Sequence, residues 1–152
     1  MKLSKVSTLF VIALSLQACN AMKGQSDMEN MIRLMHKDNP ADYEAVVRSF
    51  IENAKAGHVE KMIALTSQVT INKMGIDSLK SHYTKDTVPA LKACTSISEG
   101  GDIIHIDKSQ TGTGSGWVYK KTCTYDESKT VPIQFVILNE NGRIALTSFG
   151  LG

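Results

Sequence analysis

The side chains in this sequence able to form a covalent bond or move a proton at neutral pH are few: three cysteines, Cys19, Cys94 and Cys123, and four histidines. Cys19 closes the stretch Leu16-Gln17-Ala18-Cys19, a branched aliphatic residue, a tolerant position, a small residue and then a thiol. It stands at the end of an apolar run, Val6 to Leu16, that follows Lys2 and Lys5. A basic start, a short apolar core and a small residue before a cut are the parts of an export leader. The run is too short to span a bilayer, which needs about 20 apolar residues. Read as a buried cytosolic helix, it would have no polar face to turn to water. A plain secretion leader would leave Cys19 as an unexplained thiol, whereas acylation uses it.

The segment Leu16 to Cys19 resembles the lipobox of bacterial lipoproteins, which implies cleavage after Ala18 and lipid on Cys19. Asn20 follows the cysteine where an aspartate is associated with inner-membrane retention, so the resemblance implies a cell outer membrane location, with the domain facing the periplasm. Two or more acyl chains hold a protein on a membrane stably, and one does not. Removing residues 1–18 also takes away Lys2 and Lys5 and no acid, leaving 15 Lys and Arg against 15 Asp and Glu. That neutral balance, with only local pairs such as Lys120-Lys121, offers no electrostatic footprint for nucleic acid and no polybasic second membrane signal.

Once Cys19 is assigned to lipid, Cys94 and Cys123 remain as a pair in an oxidising compartment, where a disulfide is expected if geometry allows. It would close a loop of roughly 30 residues and contribute roughly 3 to 4 kcal/mol in the chain-entropy model. A metal pair and a catalytic thiol are the competing readings, but there is no CxxC spacing and no second ligand cluster beside either cysteine. Nor do His36, His58 and His82 have ligand spacing such as HxxxH, and Ser96, Ser98 and Ser115 lie outside any nucleophile elbow. No cofactor is called for.

The elements that must position these groups fall into two runs. Residues 19–39 are polar and read as a tether, within which Met28, Met31, Ile32 and Met35 recur at i, i+3, i+4 and i+7. That places four apolar groups on one face of a short helix, to dock or fray, or to lie on the membrane surface. The domain, residues 40–152, opens at Pro40. Tyr43, Val46, Val47, Phe50, Ile51 and Ala54 mark an amphipathic helix ended by Gly57. Val59, Met62, Ile63 and Leu65 mark a second helix, and Gln68 to Ile71 reads as a short strand. Ile76, Leu79 and Tyr83 mark a third helix started near Asp77 or Ser78, in which Val88-Pro89 predicts a kink or restart before Cys94.

After Cys94 the period changes to two. Asp102 to Asp107 is a strand in which the pair Ile104 and Ile106 is the expected buried set, with His105 toward water. Thr111 to Gly116 reads as a flexible connection. Trp117 to Tyr125 alternates, with Trp117, Tyr119, Lys121, Cys123 and Tyr125 on one side. Val131 to Leu138 and Arg143 to Phe149 form a hairpin about a four-residue loop, Asn139 to Gly142. Helices followed by an antiparallel meander give an α+β plan, with N-terminal helices packed on a curved antiparallel sheet.

In order, length and pattern, residues 41–150 resemble the NTF2-like superfamily, the cystatin-like α+β cone. The part that carries the resemblance best is the opening helix, Asp42 to His58. Small exported lipoproteins of this group end that helix in a glycine, as Gly57 does, and start the next with an acid where this chain has His58, a weaker cap. The superfold hosts enzymes, ligand binders and assembly modules alike. Its enzymes work inside the cone with acid and base groups, which here would be drawn from His82, Tyr83, His105, Asp107, Trp117 and Tyr119. The expected function is a non-catalytic, membrane-anchored binding module. It would take a small hydrophobic ligand or an envelope protein through an aromatic opening formed by Tyr83, Trp117, Tyr119 and Phe135. An immunity or inhibitor lipoprotein and a small-molecule lyase, isomerase or hydrolase are the alternatives.

Overall fold

The computed structural model of the chain describes residues 39–126 and 129–151. The leader, Cys19, the tether helix Met28 to Met35 and His36 lie outside the described residues. Helix α1, Pro40–Ala56, starts where the side chain of Asn39 accepts a hydrogen bond from the Ala41 N–H. It ends at Gly57 with φ of 77°, a left-handed cap that returns its N–H to the Ala54 and Asn53 carbonyls. Its apolar stripe, Tyr43, Val47, Phe50 and Ala54, is fully buried, as the period demands. Helix α2, Val59–Leu65, buries Met62 and Ile63. It lacks a side-chain cap at His58, in keeping with the histidine at that position.

Residues expected as a strand, Gln68 to Ile71, are helical instead and form α3, Gln68–Met74. The β-branched residues favour a strand only where a neighbour offers pairing, and here the pairing stops one step earlier. Thr66 bridges Leu146 in parallel, the Ser67 N–H donates to the Leu146 carbonyl at 2.7 Å, and the Ser67 hydroxyl then accepts from the Thr70 N–H to start the helix. Helix α4, Ile76–His82, buries Leu79, but Ile76 as its first residue is 54% exposed and does not face inward. A surface ion pair between Lys80 and Glu60 ties α4 to α2, and that bond raises the Lys80 pKa.

The expected break at Val88-Pro89 is a widening of the helix without a stop. Tyr83–Thr87 is a π-helical turn, closed by the Val88 N–H on the Tyr83 carbonyl, and Val88 itself is helical at φ −61° and ψ −50°. The wide turn stands just ahead of a residue that has no N–H and whose ring presses on the carbonyl four residues back. Helix α5, Val88–Ala93, then runs to Cys94.

The sheet comprises five strands: β1 Ser96–Ile97, β2 Ile103–Ile106, β3 Ser115–Thr124, β4 Thr130–Glu140 and β5 Arg143–Leu151. It is antiparallel and strongly curled, in the order β1-β3-β4-β5. Both β1 and β2 pair with β3, β1 through Ile97 opposite Cys123 and β2 through Ile103 opposite Tyr119, so the chain between them crosses beside Lys121. As the alternation predicts, Tyr119, Lys121 and Cys123 point to the helical side, with Ile133, Phe135 and Ile137 of β4 beside them. Sequence-predicted pairing of the last two strands holds, but the turn contains two residues and not four. Asn141 and Gly142 both take positive φ, 56° and 92°, the twist that a tight hairpin needs.

The glycine-rich segment is built into the fold. Lys108–Thr111 is a helical turn, α6, held by a reciprocal cap between Asp107 and Gln110, and β3 begins at Ser115. Gly114 and Gly116 lie against the backbone of Asn139 and Ile137 so closely that a Cβ on either would collide with a carbonyl. His105 also departs from expectation. It pairs across the strands with Trp117, ring centroids 4.8 Å apart, leaving its side chain 26% exposed. Ile104 and Ile106 are not the buried pair expected, because β2 pairs with β3 alone at the edge of the sheet: Ile103 and Ile104 are 48% and 44% exposed and Ile106 is half-buried.

Candidate functional site

Of the four aromatic residues expected to line an opening, Tyr83 and Phe135 pack on Phe50 of α1. Its ring meets Tyr83 edge-on at 5.5 Å and Phe135 at 6.3 Å, and Phe149 closes on Phe135 at 5.2 Å. Tyr83, Tyr119 and Phe135 are 4%, 2% and 0% exposed. The phenol of Tyr83 shares a hydrogen bond of 2.8 Å with the Thr66 hydroxyl, which in turn donates to the Met62 carbonyl. Tyr119 donates to the Pro40 carbonyl and so fastens β3 to the start of α1. Trp117 is half-buried and packed on His105, with its indole N–H shut away from water and with no acceptor among the described residues. These rings pack the core, and Tyr119 also borders a hollow of about 80 Å³ beside Gly101, Asp102 and Ile103.

Burial raises the pKa of both phenols above the ordinary tyrosine value, for Tyr119 with a further push from the Glu44 carboxylate. A group that holds its proton longer in the folded state than in the unfolded chain stabilises fully below the unfolded pKa, about 10, and loses that contribution as pH rises beyond it. Alkaline titration followed by tyrosinate absorbance is therefore expected to show late ionisation coincident with unfolding, and Tyr119→Phe to remove part of it. Normal titration of every tyrosine in the folded protein would contradict this burial.

Beside the core lies a groove of about 320 Å³ between α1 and the edge of the sheet, lined by Glu44, Arg48, Ile51, Glu52, Lys55, Ile97, Ser98, Glu99 and Lys121. One wall is helical. Glu44, Arg48, Glu52 and Lys55 fall at i, i+4, i+8 and i+11, so their charges alternate along a single stripe. The other wall is β1 and the crossing chain after it. Ile51 and Ile97, both half-buried, make the apolar floor. Lys121 closes one end, only 8% exposed. Its ammonium donates to the Glu99 carbonyl at 2.8 Å, to the Ser98 carbonyl at 3.3 Å and to Glu44 Oε1 at 3.4 Å.

Those three acceptors match the three donor positions of a lysine head group, so Lys121 is engaged in holding α1 to the crossing chain. Arg48, Glu52, Lys55 and Glu99 stay exposed around it. This combination supplies ion pairs and an apolar seat, the means of recognition. The groove residues were not foreseen as a site, although two signals pointed at them: Lys121 falls on the inward face of an alternating strand, and α1 carries the charge stripe.

The other candidate groups are dispersed. Cys94 and Cys123 are joined by a disulfide, Cα atoms 5.4 Å apart, linking the end of α5 to β3. His82 pairs with Asp86 at 2.9 Å on the surface of α4, away from the groove lining, and His105 Nδ1 is 3.6 Å from Asp107. Among the described residues no cluster of three or more His, Cys, Asp or Glu is placed to hold a metal ion, and no helix is long and apolar enough to cross a membrane. Comparison with known proteins gives no match to a family model, a curated protein or a solved structure.

Proposed function

We propose that this chain is a lipid-anchored protein of the bacterial cell envelope, held by Cys19 on the outer membrane, whose NTF2-like cone binds a protein partner without catalysing a reaction. The observation that carries the reading is the filled interior. Phe50, Tyr83, Tyr119 and Phe135 occupy the space a small hydrophobic ligand would need, while the groove beside them is charged with an apolar floor. Small-molecule sites are mostly apolar and enclosed, whereas protein partners are read through mixed surfaces of this kind. An immunity or inhibitor lipoprotein is one form such a binder takes.

The reading is tested in two steps on the full chain. Cys19→Ser is expected to move the protein from the membrane fraction to a soluble or unprocessed form. A photo-crosslinking residue at Ile97 in the groove is expected to capture a protein in intact envelopes, and one at Thr122 on the outer face of β3 is not. Wild-type protein in the cytosol, or adducts to lipid alone, would overturn it.

A further inference from the structure

The groove also constrains what kind of protein segment it takes. We infer that it seats an extended peptide strand bearing an acidic, a basic and an acidic side chain at alternate positions, with apolar residues between them. This rests on the groove being the binding site. The argument is one of pitch and sign. Arg48 and Glu52 are four residues apart on α1, about 6.0 Å along its axis, and Lys55 follows three residues on, about 4.5 Å further. Same-face residues of an extended strand recur every ~6.6 Å. A strand centred on Glu52 therefore sets its same-face neighbours about 0.6 Å out of register with Arg48 and about 2.1 Å with Lys55, offsets that these long, exposed side chains can span.

The signs then select the occupant. Arg48 and Lys55 each call for a carboxylate, and neither side chain has an ion pair or hydrogen bond among the described residues. Between them Glu52, with Glu99 on the opposite wall, calls for a cation. Lys121 is excluded from this reading because Glu44 and two carbonyls already saturate it. The intervening residues of the strand turn the other way, toward the wall opposite α1, where Ile97 is half-buried and accepts an apolar side chain. A mixed-sign stripe rejects a uniformly acidic or basic segment, since each would set like charges opposite one another.

The test uses the full chain in detergent micelles and two synthetic peptides of opposite sign pattern, Val-Glu-Val-Lys-Val-Glu-Val and Val-Lys-Val-Glu-Val-Lys-Val. Binding is read by amide shift changes at Ile51, Ile97 and Ser98. The first peptide is expected to bind about tenfold more tightly than the second, as a few partly exposed ion pairs allow. The triple variant Arg48→Glu, Glu52→Lys, Lys55→Glu exchanges good helix formers for good helix formers, so α1 should still form despite the acidic pair it creates at positions 44 and 48, and it is expected to reverse the preference. Equal binding of both peptides, or an unchanged preference in the triple variant, overturns the inference. Crosslinking at Ile97 with no peptide discrimination would refute the strand pattern alone; loss of both would refute the groove as a site.

Discussion

Lys121→Met is expected to lower the unfolding free energy by about 3 kcal/mol, whereas Glu44→Gln costs about 1 kcal/mol, although the two residues form one ion pair. The asymmetry comes from what each removal leaves behind. Without the ammonium, the carbonyls of Ser98 and Glu99 lose their donor at the point where the chain crosses from β1 to β2. Without the carboxylate, Lys121 keeps both carbonyls and gains an amide oxygen, and Glu44 is 30% exposed, so water reaches that end of the pair. Urea unfolding should show the difference as a shift in midpoint with an unchanged slope. Equal losses for the two variants would mean that the pair, and not the carbonyl cradle, holds the crossing segment.

How far the sequence revealed this arrangement depends on the kind of signal each element carries. Helix α1 was legible from end to end because Pro40, an apolar stripe and Gly57 agree with one another, and the faces of β3 and β4 followed from a period of two. The stretch Gln68 to Ile71 was misread because its β-branched residues signal a strand, while the deciding facts, the Ser67 cap and the bridge from Thr66 to Leu146, involve a residue nearly eighty positions away. Gly114 and Gly116 look flexible in sequence and are the reverse, since a bare Cα there is what allows a close approach to β4. Aromatic composition likewise says that rings will cluster and not whether space remains among them; Phe50, from the opposite element, settles that. The groove was hidden for the same reason, being assembled from α1, the crossing chain and one inward lysine.

The second large effect is expected from the disulfide. Replacing both Cys94 and Cys123 by Ala removes the cross-link without leaving a thiol. In the chain-entropy view, the 29-residue separation makes the loss roughly 3.5 kcal/mol, on the order of 10 °C in Tm. Both sulfur residues are buried, 3% and 0% exposed, so a thiol assay on native unreduced protein should find neither, and a mild reductant should act only through opening of the structure. Loosening will not be uniform. Strand β1 has two residues, and its hold on β3 is reinforced by the Thr95 N–H to the Thr124 carbonyl at 2.7 Å, the Ser98 N–H to the Thr122 carbonyl at 2.9 Å and the cross-link itself. Strand β4, paired along its length on both sides, has no such dependence. Hydrogen exchange in the double-alanine variant should therefore accelerate first at Thr95 and Ser98 and least at Phe135 and Ile137. Because β1 is one wall of the groove, peptide binding should weaken by more than the same loss of stability produces through a core truncation such as Ile137→Val. An unchanged Tm, or exchange that rises equally at Thr95 and Phe135, would show that the bond is incidental to both the fold and the groove.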